Sequence, residues 1–262
     1  MNRKPIAVVV ALTAFASSIF AQAPALPPEP IYLGKPLSDW LKAYPGYSTA
    51  GGGSEAATRA AYEAGNQAKR AVNQSGTNAI PTLLRMLRAQ RDSNQAAFWG
   101  FRMLGTNAQS AVPALVEIVD QNISPTSQML AINVLGQIGP PAKEAIPSLL
   151  RWSTNTDANV RRGAVWVLGR IHAEPDRVVP ALISVTRDPN KSVQYCAIES
   201  LGRFGLDAKP AVPALAELLN STQSPAYISI PPNVPKPVDL REVTAKALKA
   251  IDPEAAAKTG IK

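Results

Sequence analysis

Cysteine and histidine are almost missing from this chain: Cys196 and His172 are single examples in 262 residues. One cysteine excludes an internal disulfide. One histidine, without a paired cysteine or a nearby acidic cluster, excludes a zinc site of the usual kind. No glycine-rich phosphate loop, no paired catalytic carboxylates and no Ser/His/Asp set can be recognised. The reading is therefore a chain without enzymatic activity, holding no cofactor and no metal. Aromatic residues are scarce at 6%, yet 46% of the chain is hydrophobic, enough for a large buried core. Charge of one sign is only mildly in excess. The formal charge is +8, or +6 once Arg3 and Lys4 at the N-terminus are set aside. Such a value speaks to solubility and non-specific contacts, not to fold.

Long apolar runs are also absent, with one exception at the start. Arg3 and Lys4 precede residues 6–20, an apolar stretch without charge, and Ala21-Gln22-Ala23 supplies small residues. The pattern predicts a secretory signal over 1–23, cut near Ala21 or Ala23, with Pro24 making the second cut awkward. It is too short and wrongly flanked for a spanning helix. No cysteine lies near the cut, where a bacterial lipid anchor would need one, so none is expected. The mature chain is expected in the periplasm or outside the cell, as a monomer without a transmembrane segment.

What the chain does have is a phrase that repeats. Ala79-Ile80-Pro81-Thr82-Leu83 returns around Pro113, Pro147, Pro180 and Pro213, at spacings of 32, 34, 33 and 33 residues. A fixed period marks a repeat architecture. From Asp157 onward, Val160, Ala164, Val165, Val167, Leu168 and Ile171 fall in helical spacing, and Leu182, Ile183 and Val185 form a second apolar run. Each unit thus reads as two helices, with proline in the first turn of the second, where its missing N–H costs nothing. The first helix ends on Leu135-Gly136-Gln137-Ile138-Gly139, Leu168-Gly169-Arg170-Ile171-His172 or Leu201-Gly202-Arg203-Phe204-Gly205. A glycine inside a helix costs ~1 kcal/mol against alanine, so three in register predict close packing against the next helix. Gly139 and Gly205 fit a left-handed C′ position. Leu135, Leu168 and Leu201 are expected to share one core position.

The Leu-Gly-x-Ile-Gly and Ala-Val/Ile-Pro-x-Leu phrases resemble HEAT-type repeats in their short, HEAT-like form, over residues 55–251. That resemblance implies an all-α fold, an α-solenoid in which antiparallel helix hairpins wind into a right-handed superhelix. Residues 24–54 read as a linker with a short capping helix. Within it, Tyr32-Leu33-Gly34-Lys35-Pro36-Leu37-Ser38-Asp39-Trp40-Leu41 is similar to a phrase preceding the repeats of many exported bacterial HEAT-repeat proteins. Ser38 is the expected N-cap, Leu37 packs back, and Trp40 anchors the cap. Residues 46–54 read as a glycine-rich linker. Residues 221–239 carry Pro225, Pro231, Pro232, Pro235 and Pro237 and read as an extended loop. Asp252-Pro253 is expected to stop the last helix, leaving 252–262 as a tail.

Repeat register then sorts the notable residues. His172 falls where other units have glycine, and histidine tolerates positive φ. Cys196 shares its position with Trp99, Leu130 and Gly163 and reads as a buried thiol. Trp152 aligns with Met86, Ile118, Val185 and Leu218 and reads as core. Trp166 aligns with Arg102, Asn133, Glu199 and Lys246, which predicts a tryptophan on a solvent face, a favoured interface anchor. Four residues after each proline stand Arg85, Glu117, Arg151, Ser184 and Glu217, expected on the concave face. Their mixed signs argue against nucleic acid, whose groove would be a sustained basic stripe. The first-helix tips, Gln137, Arg170, Arg203 and Lys249, are more basic, as the C-terminal dipole favours. The reading is a protein-binding scaffold of the cell envelope. Two alternatives are weighed against it: an auxiliary or lyase-type enzyme, since similar repeats occur in the bilin lyase family, and a nucleic-acid binder like the HEAT-like DNA glycosylases.

Overall fold

Proline has no N–H to give a helix, and this chain puts it where none is required. The computed structural model describes residues 27–44, 54–89, 92–221 and 239–259. The expected signal segment over 1–23, most of the expected 46–54 linker and nearly all of the expected 221–239 loop lie outside the described residues. The helices are α1 (Leu37–Lys42), α2 (Glu55–Ser75), α3 (Ile80–Arg88), α4 (Asp92–Leu104), α5 (Val112–Gln121), α6 (Pro125–Ile138), α7 (Ile146–Trp152), α8 (Ala158–Ile171), α9 (Pro175–Val185), α10 (Lys191–Phe204), α11 (Val212–Ser221), α12 (Leu240–Ile251) and α13 (Pro253–Lys258). Pro81, Pro113, Pro147 and Pro213 each stand second in their helix, where the N–H has no intrahelical acceptor. Short 3₁₀ segments such as Gly105–Ala111 lead into α5, α7 and α11. Their alanines, Ala108, Ala111, Ala142, Ala145, Ala208 and Ala211, are fully buried.

Pro180 departs from this rule. It is inside α9, which begins five residues earlier at Pro175. The cause is His172. Gly139 and Gly205 leave their helices at φ/ψ of 69/−138° and 51/−129°, a combination closed to residues with a Cβ. They have positive φ but are not left-handed helical, contrary to expectation. His172 cannot follow them and takes the left-handed 52/51° that its polar side chain tolerates. Glu174 follows at 51/54°, and the link becomes helix instead of a 3₁₀ turn.

The packed hairpin is out of step with the sequence unit. α3 packs on α4, α5 on α6, α7 on α8, α9 on α10 and α11 on α12. The helices between the proline helices also pack directly on one another, α4 on α6, α6 on α8, α8 on α10 and α10 on α12. The proline-bearing helices barely touch their counterparts. A stack with one row in contact and the other splayed curves toward the row in contact. The inner row is therefore α4, α6, α8, α10 and α12, and the proline helices form the outer row. This reverses the expectation that the residues after each proline line the concave face.

Glycine makes the inner row possible. A Cβ at Gly136 would overlap the Trp166 ring of α8, and one at Gly169 would stand 2.9 Å from the Cα of Ser200 on α10. At Gly202 it would approach the Cα of Ala247 to 3.2 Å. The core runs continuously beneath, with Leu135 and Leu201 fully buried and Leu168 1% exposed.

At the N-terminal end a two-residue hairpin pairs Ile31 with Pro36 and Tyr32 with Lys35. Leu33 and Gly34 turn it with φ of 47° and 74°, as a tight hairpin demands. Ser38 is not the cap of α1. The Glu29 carboxylate accepts from the Ser38 N–H at 2.6 Å and takes that role, while also pairing with Arg85. Trp40 donates to the Tyr32 carbonyl at 2.9 Å and stands edge-on to its ring, and α1 packs on α2, α3 and α4. At the other end Asp252-Pro253 stops α12 but also starts α13. The Asp252 carboxylate accepts from the N–H groups of Glu254 and Ala255, so part of the expected tail is helical.

Candidate functional site

Two faces have been singled out, and the fold separates them. Arg85, Glu117, Arg151, Ser184 and Glu217 are all exposed on the outer row. They are not free charges. Arg88 pairs with Glu117 at 2.9 Å, linking α3 to α5. Arg151 holds both oxygens of Asp120 at 2.7–2.8 Å, linking α7 to α5, and the Trp152 indole donates to the same carboxylate. Arg187 pairs with Glu217 at 2.8 Å, linking the turn after α9 to α11. Ser184 donates to the Ala181 carbonyl. The alternating signs are thus explained as struts between splayed helices, each exposed and worth roughly 0–1 kcal/mol.

Trp166 lies on the inner row, but not as the free anchor its register suggests. It is half-buried against Gly136 and packs on the core. Arg170 sits over its ring, 5.4 Å from the centroid, while its Nε donates to the Gly136 carbonyl at 2.9 Å. The residues sharing its register, Arg102, Asn133, Glu199 and Lys246, are flexible polar chains, whereas the rigid indole is seated on Gly136.

Two grooves further along the inner row, Ala247 and not an aromatic ring packs on the glycine, Gly202. Between α10 and α12 lies a cavity of about 300 Å³, lined by Tyr195, Glu199, Gly202, Arg203, Val243, Lys246, Ala247 and Ala250. Glu199 accepts from Arg203 at 2.8 Å. Burial and the Glu199 charge push the Tyr195 phenol above its ordinary value, so it stays protonated at neutral pH. No signal in the sequence singled out this cavity. It could have been found by noticing that Lys246 and Ala250 take the places of Trp166 and Arg170.

The remaining chemistry-bearing residues are structural. Cys196 is 8% exposed. Burial, helped by Glu199, pushes its thiol up to about 12, so no thiolate is present at neutral pH. His172 stacks edge-on against Phe204 with centroids 4.8 Å apart. Arg161 and Asp188 form the most buried ion pair among the described residues, at 14% and 8% exposure. Burial alone would raise the Asp188 carboxyl; the Arg161 hydrogen bond, the Asn190 N–H and the Arg161 charge outweigh it and hold the carboxyl below its ordinary range. Arg161 also donates to the carbonyls of Asn155 and Thr156, so one guanidinium fixes two loops. Among the described residues no group of three His, Cys, Asp or Glu is placed to hold a metal ion, and no helix is long and apolar enough to cross a membrane.

The family model for HEAT repeats matches residues 112–178 and 146–228. Both matches begin on the first residue of a proline helix, α5 or α7, which agrees with the packed hairpin and not with the sequence unit. No curated protein matches the chain. Among solved structures, one engineered protein aligns at 18% identity and a TM-score of 0.46, over 86% of this chain; this chain spans 66% of that one. A second engineered protein aligns at 18% and 0.45, covering 85% of this chain and 97% of its own. A designed armadillo repeat protein in complex with a (KR)4 peptide aligns at 14% and 0.46, covering 86% and 99%. The fold is an all-α solenoid whose residues 112–228 match the HEAT-repeat family model.

Proposed function

We propose that this chain is a non-catalytic, protein-binding scaffold of the bacterial cell envelope, and that it holds its partner along the inner row. One observation carries the reading: α4, α6, α8, α10 and α12 form a continuous inner face in direct contact, displaying Trp166, Arg170, Arg203 and Lys246. Extended concave surfaces of this kind are what solenoids offer a partner. A buried, protonated Cys196 and a histidine committed to a helix end leave that face without a nucleophile–base pair, which favours binding over chemistry. The residue pattern of 1–23 supports export.

The test compares the two faces. Envelope extract is passed over the mature protein, over Trp166→Ala with Arg170→Ala, and over Arg85→Glu with Arg151→Glu. The expected result is a saturable protein partner whose affinity falls at least tenfold for the inner-row variant and less than threefold for the outer-row variant. The opposite order moves the site to the outer row. No saturable protein partner for any form, or chromophore transfer or hydrolysis by the wild type, overturns the scaffold reading. Cell fractionation that leaves the chain in the cytoplasm overturns its envelope placement.

A further inference from the structure

The repeats allow one groove of the inner row to be compared with another inside the same molecule. Between α6 and α8, the Trp166 indole covers Gly136, and the Arg170 guanidinium stacks on the indole. Between α10 and α12 the glycine is present as Gly202, but the side chains that would fill the groove are not. Lys246 stands where Trp166 stands, and Ala250 where Arg170 stands. The result is the cavity of about 300 Å³ described above. Its floor is Gly202 and Ala247, and its apolar wall is Val243 with the Tyr195 ring. Arg203, the counterpart of Arg170, stands at the rim, held by Glu199. Among the described residues Lys246 has no ion-pair partner.

We propose that this cavity is a binding socket for an aromatic side chain of a partner polypeptide, one flanked by acidic residues. The proposal deepens the protein-binding reading and rests on it. The chain itself shows the geometry: a flat ring over a helix glycine, with an arginine cation against its face. The α10–α12 groove keeps a helix glycine, Gly202, and offers an arginine, Arg203, from the glycine-bearing helix; Ala247 packs on that glycine, so a ring would lie beside it, along Val243 and Tyr195. Charge fixes the flanking residues. Two cations, Arg203 and Lys246, face one carboxylate, Glu199, so one positive charge is left for an acidic group on the ligand. Cation–ring stacking strengthens as water is excluded, which a partly enclosed cavity achieves.

The test uses the mature protein and the peptide acetyl-Asp-Glu-Trp-Glu-Asp-amide, with an alanine-for-tryptophan peptide as control. Binding is followed by shifts of the Gly202, Ala247 and Ala250 amide resonances. Saturable shifts at these amides, absent with the alanine peptide, are expected. Arg203→Gln should weaken binding about fivefold. Lys246→Trp closes the socket with the chain's own indole; it should abolish the shifts and raise the melting temperature. Ala250→Arg, a second block at an exposed position, should do the same to binding even if Lys246→Trp misfolds. The inference is overturned if the wild-type amides do not move, or if both blocked variants bind like the wild type. Its failure is separable from that of the scaffold reading. A wild type that captures its partner but leaves these amides unmoved loses only the socket. A wild type that binds the peptide here but captures no protein loses only the scaffold reading.

Discussion

Gly136 shows how one residue sets the spacing of two helices. Alanine there should gain ~1 kcal/mol of helix propensity but force a Cβ into the Trp166 ring, and overpacking of this kind costs ~1–3 kcal/mol. Gly136→Ala is expected to destabilise the wild type. In a Trp166→Ala background the same change should stabilise, and a double-mutant cycle by urea denaturation reads the reversal of sign. Cys196 gives a second residue-scale prediction. Its thiol, pushed up to about 12 by burial, should react with a disulfide reagent at pH 8 far more slowly than a free thiol, and at the ordinary rate in denaturant. Register identified Cys196 and Trp152 as buried, because a shared position carries an average of its neighbours. For Trp166 it gave the face but not the seat on Gly136. Arginine, asparagine, glutamate and lysine can all bend away from a close helix, and an indole cannot.

Among the elements, the loops joining α7 to α8 and α9 to α10 depend on Arg161 and Asp188. Asp188 is held below its ordinary range in the folded chain, so its contribution is fully present above that range. It is lost as pH falls through the lowered folded value. Arg161→Gln leaves Asp188 buried without its cation and should cost about 3 kcal/mol at pH 7. Its carboxyl would then rise, and its contribution to the pH dependence between about pH 5 and 3 should change sign in melting experiments. Helix positions were legible because leucine, glycine and proline recur in register. Helix ends were less so. Ser38 looked like a cap, but a capping oxygen can come from nine residues away, as Glu29 shows. Asp252-Pro253 looked like a stop, although the same pair is a good start. The hairpin phase was hidden as well: a period defines a repeat length, not which two helices of the cycle touch.

For the molecule as a whole, an array of neighbours that contact only neighbours should behave as a chain of coupled units. Leu168 lies mid-array, with inner-row helices on both sides. Leu168→Ala should cost ~2–5 kcal/mol by urea denaturation and lower hydrogen-exchange protection in α6, α8 and α10 before α4. No loss of stability would refute the shared core position. The fold was readable from sequence because every unit repeats the same apolar spacing. The concave face was not, since it depends on which row is compressed, and that is a property of helix spacing. The unequal rows have a mechanical consequence. One side of the molecule is held by interlocked surfaces that salt does not loosen, and the other by solvent-facing ionic struts that salt screens. The solenoid is then a leaf spring with one stiff side and one compliant side. Raising ionic strength should let the compliant side spread and the spring coil further about the stiff one, shortening the longest dimension seen by small-angle scattering while the melting temperature barely moves.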